Sequence, residues 1–228
     1  MTTSGAGISS RAVILHASRA AVDCVAEYYA AHAPEVEFTH LLDDGIMRML
    51  RAEDWANATR RLVAMAETAR TEYEASCGVL TCSAVPPKAL EELKARSPIP
   101  LFKIDEPMAR LAVRTSAEIG VLSTFPATRQ TTHDLLVAEA RRAGVQITIV
   151  EEMNAAALEA LLAGDRDAHD RLFFASCERF ARGVGVLVLA QVSMARLAPA
   201  VRERLGVPVL ESLSTSLDVL RHLFAERS

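Results

Sequence analysis

The sequence is poor in aromatic residues, at 5% with a single tryptophan, and has no surplus of positive charge: 25 lysines and arginines against 29 aspartates and glutamates leave a formal −4 across 228 residues. No Lys/Arg cluster offers the phosphate-neutralising stripe that nucleic-acid binding needs, so no nucleic-acid partner is expected. Wholly apolar runs are short. Stretches such as Val186 to Ala190 stop far below a membrane span, and the opening MTTSGAGISSR has no apolar signal core; no membrane partner and a cytoplasmic location are the expectation. The four cysteines, Cys24, Cys77, Cys82 and Cys177, fall in no CxxC spacing, and a reducing compartment keeps them as thiols. Histidines are scattered without the paired spacing of a metal site, and GxGxxG, GxxxxGK[ST], GxSxG and HExxH are all missing, so neither metal nor cofactor is expected.

What the chain does have is 50% hydrophobic content in a strict alternation. Short apolar runs at Ala12–Leu15, Val36–Leu42, Gly78–Thr81 and Pro100–Ile104 read as buried strands. Between them, Ala20–His32, Ala52–Ser76 and Lys88–Arg96 carry apolar residues every three or four positions and read as amphipathic helices. The second half repeats the order, with strands at Ile119–Leu122, Val145–Val150, Val184–Ala190 and Val207–Leu210 and helices at Ala127–Ala143, Ala155–Cys177 and Ala195–Leu205. Strand alternating with helix predicts right-handed parallel βαβ units and an α/β fold.

The two halves match by number. GVLTC from Gly78 answers GVLVLAQ from Gly185 at an offset of 107, IPLF from Ile99 answers VPVL from Val207 at 108, and Ile14 answers Val121 at 107. A duplication follows: two pseudo-symmetric open parallel-sheet halves of flavodoxin-like βα units, spanning 1–112 and 113–213, with helix 214–228 completing the first. Ligands of open parallel sheets sit at the carboxyl ends of the strands, so an active site is expected in a cleft between the halves. The loops there hold His16, Ser18, Cys82 and Ser83 from the first half, and Thr124, Thr128, Gln191 and Ser193 from the second.

Cys82 in TCSA is the leading candidate for chemistry, because it ends the third strand shortly before a helix whose N-terminus would favour thiolate. Position alone leaves three roles open for it: base, nucleophile, or small buried strand-end residue. The other cysteines read as structural. His16 follows a strand end and is equally a turn histidine. Asp105 and Glu106, ahead of MARLAVR, read as caps of the helix that follows.

TCSA after the third strand, GVLSTFPATRQT after the fifth, LAQVSMARL after the seventh and VPVLESL at the eighth resemble the aspartate/glutamate racemase superfamily, with its hydantoin racemases, maleate isomerases and arylmalonate decarboxylase. The resemblance spans essentially the whole chain. It implies two domains enclosing a small carboxylate, chemistry without pyridoxal phosphate, a homo-oligomer such as a dimer, and in racemases one cysteine from each half on opposite faces of the substrate carbon. By position it assigns Cys82 as the first cysteine and gives substrate binding to Ser83, Thr124 and Thr128; Ser18 and Ser193 in the strand-end loops are added as substrate-binding candidates, with Gln191 and Ser193 as donors to an oxyanion or carboxylate. The second cysteine is replaced by Gln191, whose amide hydrogen-bonds but is no proton acid/base near neutral pH. An isomerase using Cys82 for one-sided proton transfer or covalent attack is therefore expected, with decarboxylase, lyase or a non-catalytic carboxylate-binding protein as alternatives. Pocket size would depend on Phe125, Met47 and Met194.

Overall fold

The computed structural model describes residues 10–124 and 126–226, so Phe125 lies outside the described residues. The chain begins with β1 (Arg11–His16), α1 (Val22–His32), β2 (Glu37–Leu42), α2 (Gly45–Arg51), α3 (Trp55–Tyr73), β3 (Cys77–Leu80), α4 (Pro87–Arg96) and β4 (Leu101–Lys103). These strands form a parallel sheet in the order β2-β1-β3-β4. Residues of β1 and β3 are almost all buried, whereas β2 at the edge is half-exposed, as expected where helices cover both faces of the sheet centre. Val13, Leu15, Ile46, Leu62, Leu80 and Leu93 belong to one apolar core there. Each fully buried side chain of this size contributes about 1.5–3 kcal/mol.

The second series runs α5 (Glu106–Thr115), β5 (Glu118–Ser123), α6 (Pro126–Ala143), β6 (Thr148–Met153), α7 (Ala155–Leu162), α8 (Arg166–Phe180), β7 (Val186–Leu189), α9 (Ala198–Arg204), β8 (Val209–Glu211) and α10 (Ser212–Ala225). Its sheet order, β6-β5-β7-β8, repeats the first, so among the described residues there are two four-stranded parallel sheets of one topology. None of the described helices is long and apolar enough to cross a membrane.

Several boundaries differ from the sequence reading. The single helix expected over 52–76 begins only at Trp55, because Glu53 takes a left-handed φ of 55° and the Asp54 carboxylate accepts the Asn57 N–H; α2 precedes it. The helix expected over 155–177 is two, broken at Gly164 (φ 81°), with the Asp165 carboxylate capping α8 through the Ala168 N–H. The sixth strand lies three residues beyond the apolar run at 145–150.

The chain also divides elsewhere than expected. One compact unit runs to Ile104 and takes in the chain from Ser216; the other is Asp105–Thr215, so the boundary falls at 104/105 rather than 112/113. The cause is α5, whose apolar face (Met108, Ala109, Ala112, Val113) packs in one core with Leu136 of α6 and Val188 of β7. In the first unit the later part of α10 is tied to α1: the Tyr29 and Ser216 hydroxyls lie 2.6 Å apart, and the Arg221 guanidinium donates to the His32 carbonyl.

Candidate active site

In a 2-1-3-4 parallel sheet the strand order reverses between β1 and β3, and the carboxyl ends of those two strands flank the crevice where ligands bind. In the first unit these ends carry His16, Thr81 and Cys82; in the second, β5 and β7 end in Ser123, Thr124 and Gln191. The sheet register sharpens the repeat. Ile14 pairs with Val79 and Val121 pairs with Val188. Val188, not Val186, is therefore the counterpart of Val79, and the two matched GVL triplets stand two residues out of register. By the same count Cys82 and Gln191 are equivalent, each the second residue past its strand. His16 and Ser123, each the last residue of its strand, are equivalent as well.

Cys82 is 7% exposed and belongs to the first unit's core, where its Sγ lies 3.8 Å from Met47 Sδ. The helix N-terminus expected to favour its thiolate is more distant than the sequence suggested. Helix α4 starts at Pro87, whose ring nitrogen has no hydrogen to offer, and four residues separate it from Cys82. Ser83, within that segment, is half-buried.

Around Cys82 the first unit assembles a hydrogen-bonded chain that sequence spacing does not reveal. His16 Nε2 lies 3.0 Å from His40 Nδ1, and the two rings stack with centroids 5.3 Å apart. His16 Nδ1 lies 3.0 Å from Thr81 Oγ1, whose hydroxyl reaches the Leu15 carbonyl at 3.3 Å. Burial, with the neighbouring His40 adding to it, lowers the His16 pKa to about 4, so the ring is neutral at physiological pH. Burial lowers His40 as well. The signal that could have found this group is the strand pattern: His16 ends β1, His40 lies two residues before the end of the neighbouring parallel β2, and Thr81 precedes the candidate thiol.

In the second unit the Gln191 Oε1 accepts the Thr124 N–H at 2.7 Å and the Thr124 hydroxyl at 3.0 Å. Thr124 is 2% exposed and Gln191 half-buried, so this tie is partly buried. Each unit thus joins the exit of its third strand to the exit of its first through a side chain: Thr81 to His16 in one, Gln191 to Thr124 in the other. The segment after Gln191, a 3-10 turn over Val192–Leu197, is anchored from α8, because Arg196 donates to Asp170 at 2.5 and 2.8 Å. Hydrogen bonding from Arg196 pulls the Asp170 pKa down to about 2.

The remaining candidates separate. Ser18 caps the turn Arg19–Ala21, accepting the Ala20 N–H at 3.3 Å. Thr128 is half-buried in the first turn of α6, Ser193 is exposed, and Met194 is buried in the second unit's core. Asp105 and Glu106 are buried, and Asp105, although at the N-cap position of α5, makes no side-chain cap hydrogen bond, so the capping role expected of it is not found. A carboxylate does cap a helix elsewhere: Glu211 accepts the N–H groups of Leu213 and Ser214 at the start of α10. Among the cysteines, Cys177 is pushed up to about 12 by burial and by Glu152, so its thiol stays protonated. Among the described residues no group of three or more His, Cys, Asp or Glu side chains is placed to hold a metal ion.

Comparison with known proteins gives the family. The Asp/Glu/Hydantoin racemase family matches residues 13–218. No curated protein matches the sequence significantly. Of solved structures, allantoin racemase from Klebsiella pneumoniae superposes with a TM-score of 0.69 at 19% identity, covering 95% of this chain and 88% of that one. An aspartate racemase homologue from Pyrococcus horikoshii OT3 gives 0.68 at 15% identity, with 95% and 99% covered. Glutamate racemase from Bacillus anthracis gives 0.67 at 15% identity, with 97% and 84% covered. At such identities the likeness is one of fold.

Proposed function

The chain belongs to the Asp/Glu/hydantoin racemase family, and from that premise we propose that it is a cofactor-independent enzyme of one-sided proton transfer, acting on the carbon beside a small carboxylate with Cys82 as its single acid/base thiol. The observation that carries this reading is the pairing of equivalent positions. The second residue past β3 is a thiol; the second residue past β7 is a glutamine whose amide oxygen is committed to Thr124. A thiolate at Cys82 takes the proton from the substrate carbon, the carboxylate delocalises the resulting negative charge, and the thiol so formed delivers a proton on the same face, to that carbon in solvent exchange or to a conjugated neighbouring position in tautomerisation. Gln191 cannot supply a second proton, because a primary amide neither gains nor loses one near neutral pH. It serves instead to hold Thr124 and, with it, the hydroxyl-bearing loop of the second unit, as a carboxylate-binding element.

Two experiments test this in sequence. Thermal-shift screening of mono- and dicarboxylates identifies a ligand, since one present at a hundred times its Kd adds about 2.7 kcal/mol of stability. That ligand is then incubated with the protein in deuterated water, with NMR following exchange at the α-carbon and chiral chromatography following configuration. Exchange with retention, abolished by Cys82→Ser, is the expected outcome. Inversion keeping pace with exchange, or full activity in Cys82→Ser, refutes the reading.

A further inference from the structure

The three hydrogen bonds around His16 admit one consistent assignment of protons. Thr81 Oγ1 has a single hydrogen, and the Leu15 carbonyl can only accept, so the Thr81 hydroxyl donates to Leu15 and must accept from His16 Nδ1. A neutral His16 with its hydrogen on Nδ1 has an acceptor at Nε2, which His40 Nδ1–H then fills. The chain runs in one direction: His40 to His16 to Thr81 to Leu15. It passes through Thr81, the residue preceding Cys82, whose N–H also donates to the Leu15 carbonyl at 3.0 Å, so the exit of β3 is pinned to β1 by backbone and side chain together.

We propose that His16 is a positioning residue for Cys82, holding the Thr81–Cys82 segment through its Nδ1–H while His40 fixes its tautomer from the neighbouring strand. This rests on the reading of Cys82 as the working thiol only for its catalytic meaning; the placement of the thiol is measurable without any substrate. The charged groups nearby are otherwise occupied. From the loop after β2, Asp43 uses its N–H on the His16 carbonyl, while its carboxylate accepts from the Gly45 N–H and from Arg61 of α3. His40 faces the His16 ring, and protonating its far nitrogen preserves the Nδ1–H that the chain needs. A proton on His16 itself would set donor against donor.

Cys82 is buried, so its alkylation by iodoacetamide requires local opening of the segment. The full-length protein is labelled near neutral pH and the Cys82 and Cys177 peptides are quantified by mass spectrometry, with long-range proton–nitrogen NMR reporting the histidine tautomers. His16→Leu removes both ring contacts and is expected to speed Cys82 labelling about threefold to tenfold, the ratio that one neutral hydrogen bond is worth. His16→Asn, whose amide can replace Nδ1–H toward Thr81, is expected to label within about twofold of wild type on the same scale. Thr81→Val, close to isosteric, removes the bond from its other end and serves if His16→Leu does not fold. Cys177, with its protonated and buried thiol, reports global unfolding. The proposal is overturned if Cys82 and Cys177 accelerate in parallel, if His16→Asn behaves as His16→Leu, or if NMR finds His16 with its hydrogen on Nε2. Unchanged labelling in both His16→Leu and Thr81→Val overturns it too. A Cys82→Ser protein that keeps its turnover would refute the proposed chemistry and leave this positioning role standing.

Discussion

The burial of His16 has a measurable consequence for stability. In the unfolded chain its imidazole titrates near 6.5; in the folded protein its pKa falls to about 4, because the ring is fully buried and its Nε2 lies against His40 Nδ1. Above the unfolded value both states hold a neutral ring, and the native state keeps its full advantage. As the pH falls from 6.5 toward about 4, the unfolded chain takes up a proton that the folded chain refuses, so stability is lost through that window. A displacement of this size, at about 1.4 kcal/mol per pH unit, amounts to roughly 3 kcal/mol when complete. The assay is urea unfolding between pH 7.5 and 4.5 for wild type and His16→Asn, which retains a donor toward Thr81 but cannot titrate. The wild-type curve should descend toward acid more steeply, the difference between the two proteins changing by most of that amount. Asp170, depressed to about 2 by Arg196, loses its own contribution only at lower pH and does not enter this range. Parallel curves would show that His16 titrates normally in the folded state, and the assigned hydrogen-bond chain would fall with it.

Two further perturbations follow from the geometry. Gln191→Ala removes the acceptor for both the Thr124 N–H and its hydroxyl, and leaving buried donors without it is expected to cost about 1–3 kcal/mol, read as a fall in Tm of about 2–4 °C per kcal/mol. Gln191→Glu, which keeps an oxygen there, should lose less; equal melting of the two variants would show that the tie to Thr124 contributes nothing. Gly78→Ala in β3 would drive a Cβ into Leu101 Cδ2 and to within 2.9 Å of Val13 Cγ1, overpacking the first sheet at a cost of about 1–3 kcal/mol. A Tm unchanged by that substitution would mean that the sheet yields there at no cost.

Periodicity and composition carry the α/β alternation and the strand-end position of Cys82, because each depends on residues within one turn or one strand of each other, and the duplication shows as a constant offset between short runs. The helix breaks at Glu53 and Gly164 escape such reading: one requires a left-handed backbone at a residue with a side chain, and a glycine inside a good helical pattern looks tolerable until its φ is known. The two-residue slip in the repeat is similarly hidden, since GVL matches GVL in letters while the hydrogen-bond register aligns Val79 with Val188. That Gln191 is the counterpart of Cys82 is likewise given by that register, each standing two residues past its strand. What occupies Gln191 is a different kind of fact. Its partner Thr124 is 67 positions away, and His16 meets His40 across 24 and Thr81 across 65. Such pairs form because parallel strands distant in sequence lie side by side and end together, which is decided by sheet order and register rather than by any local preference.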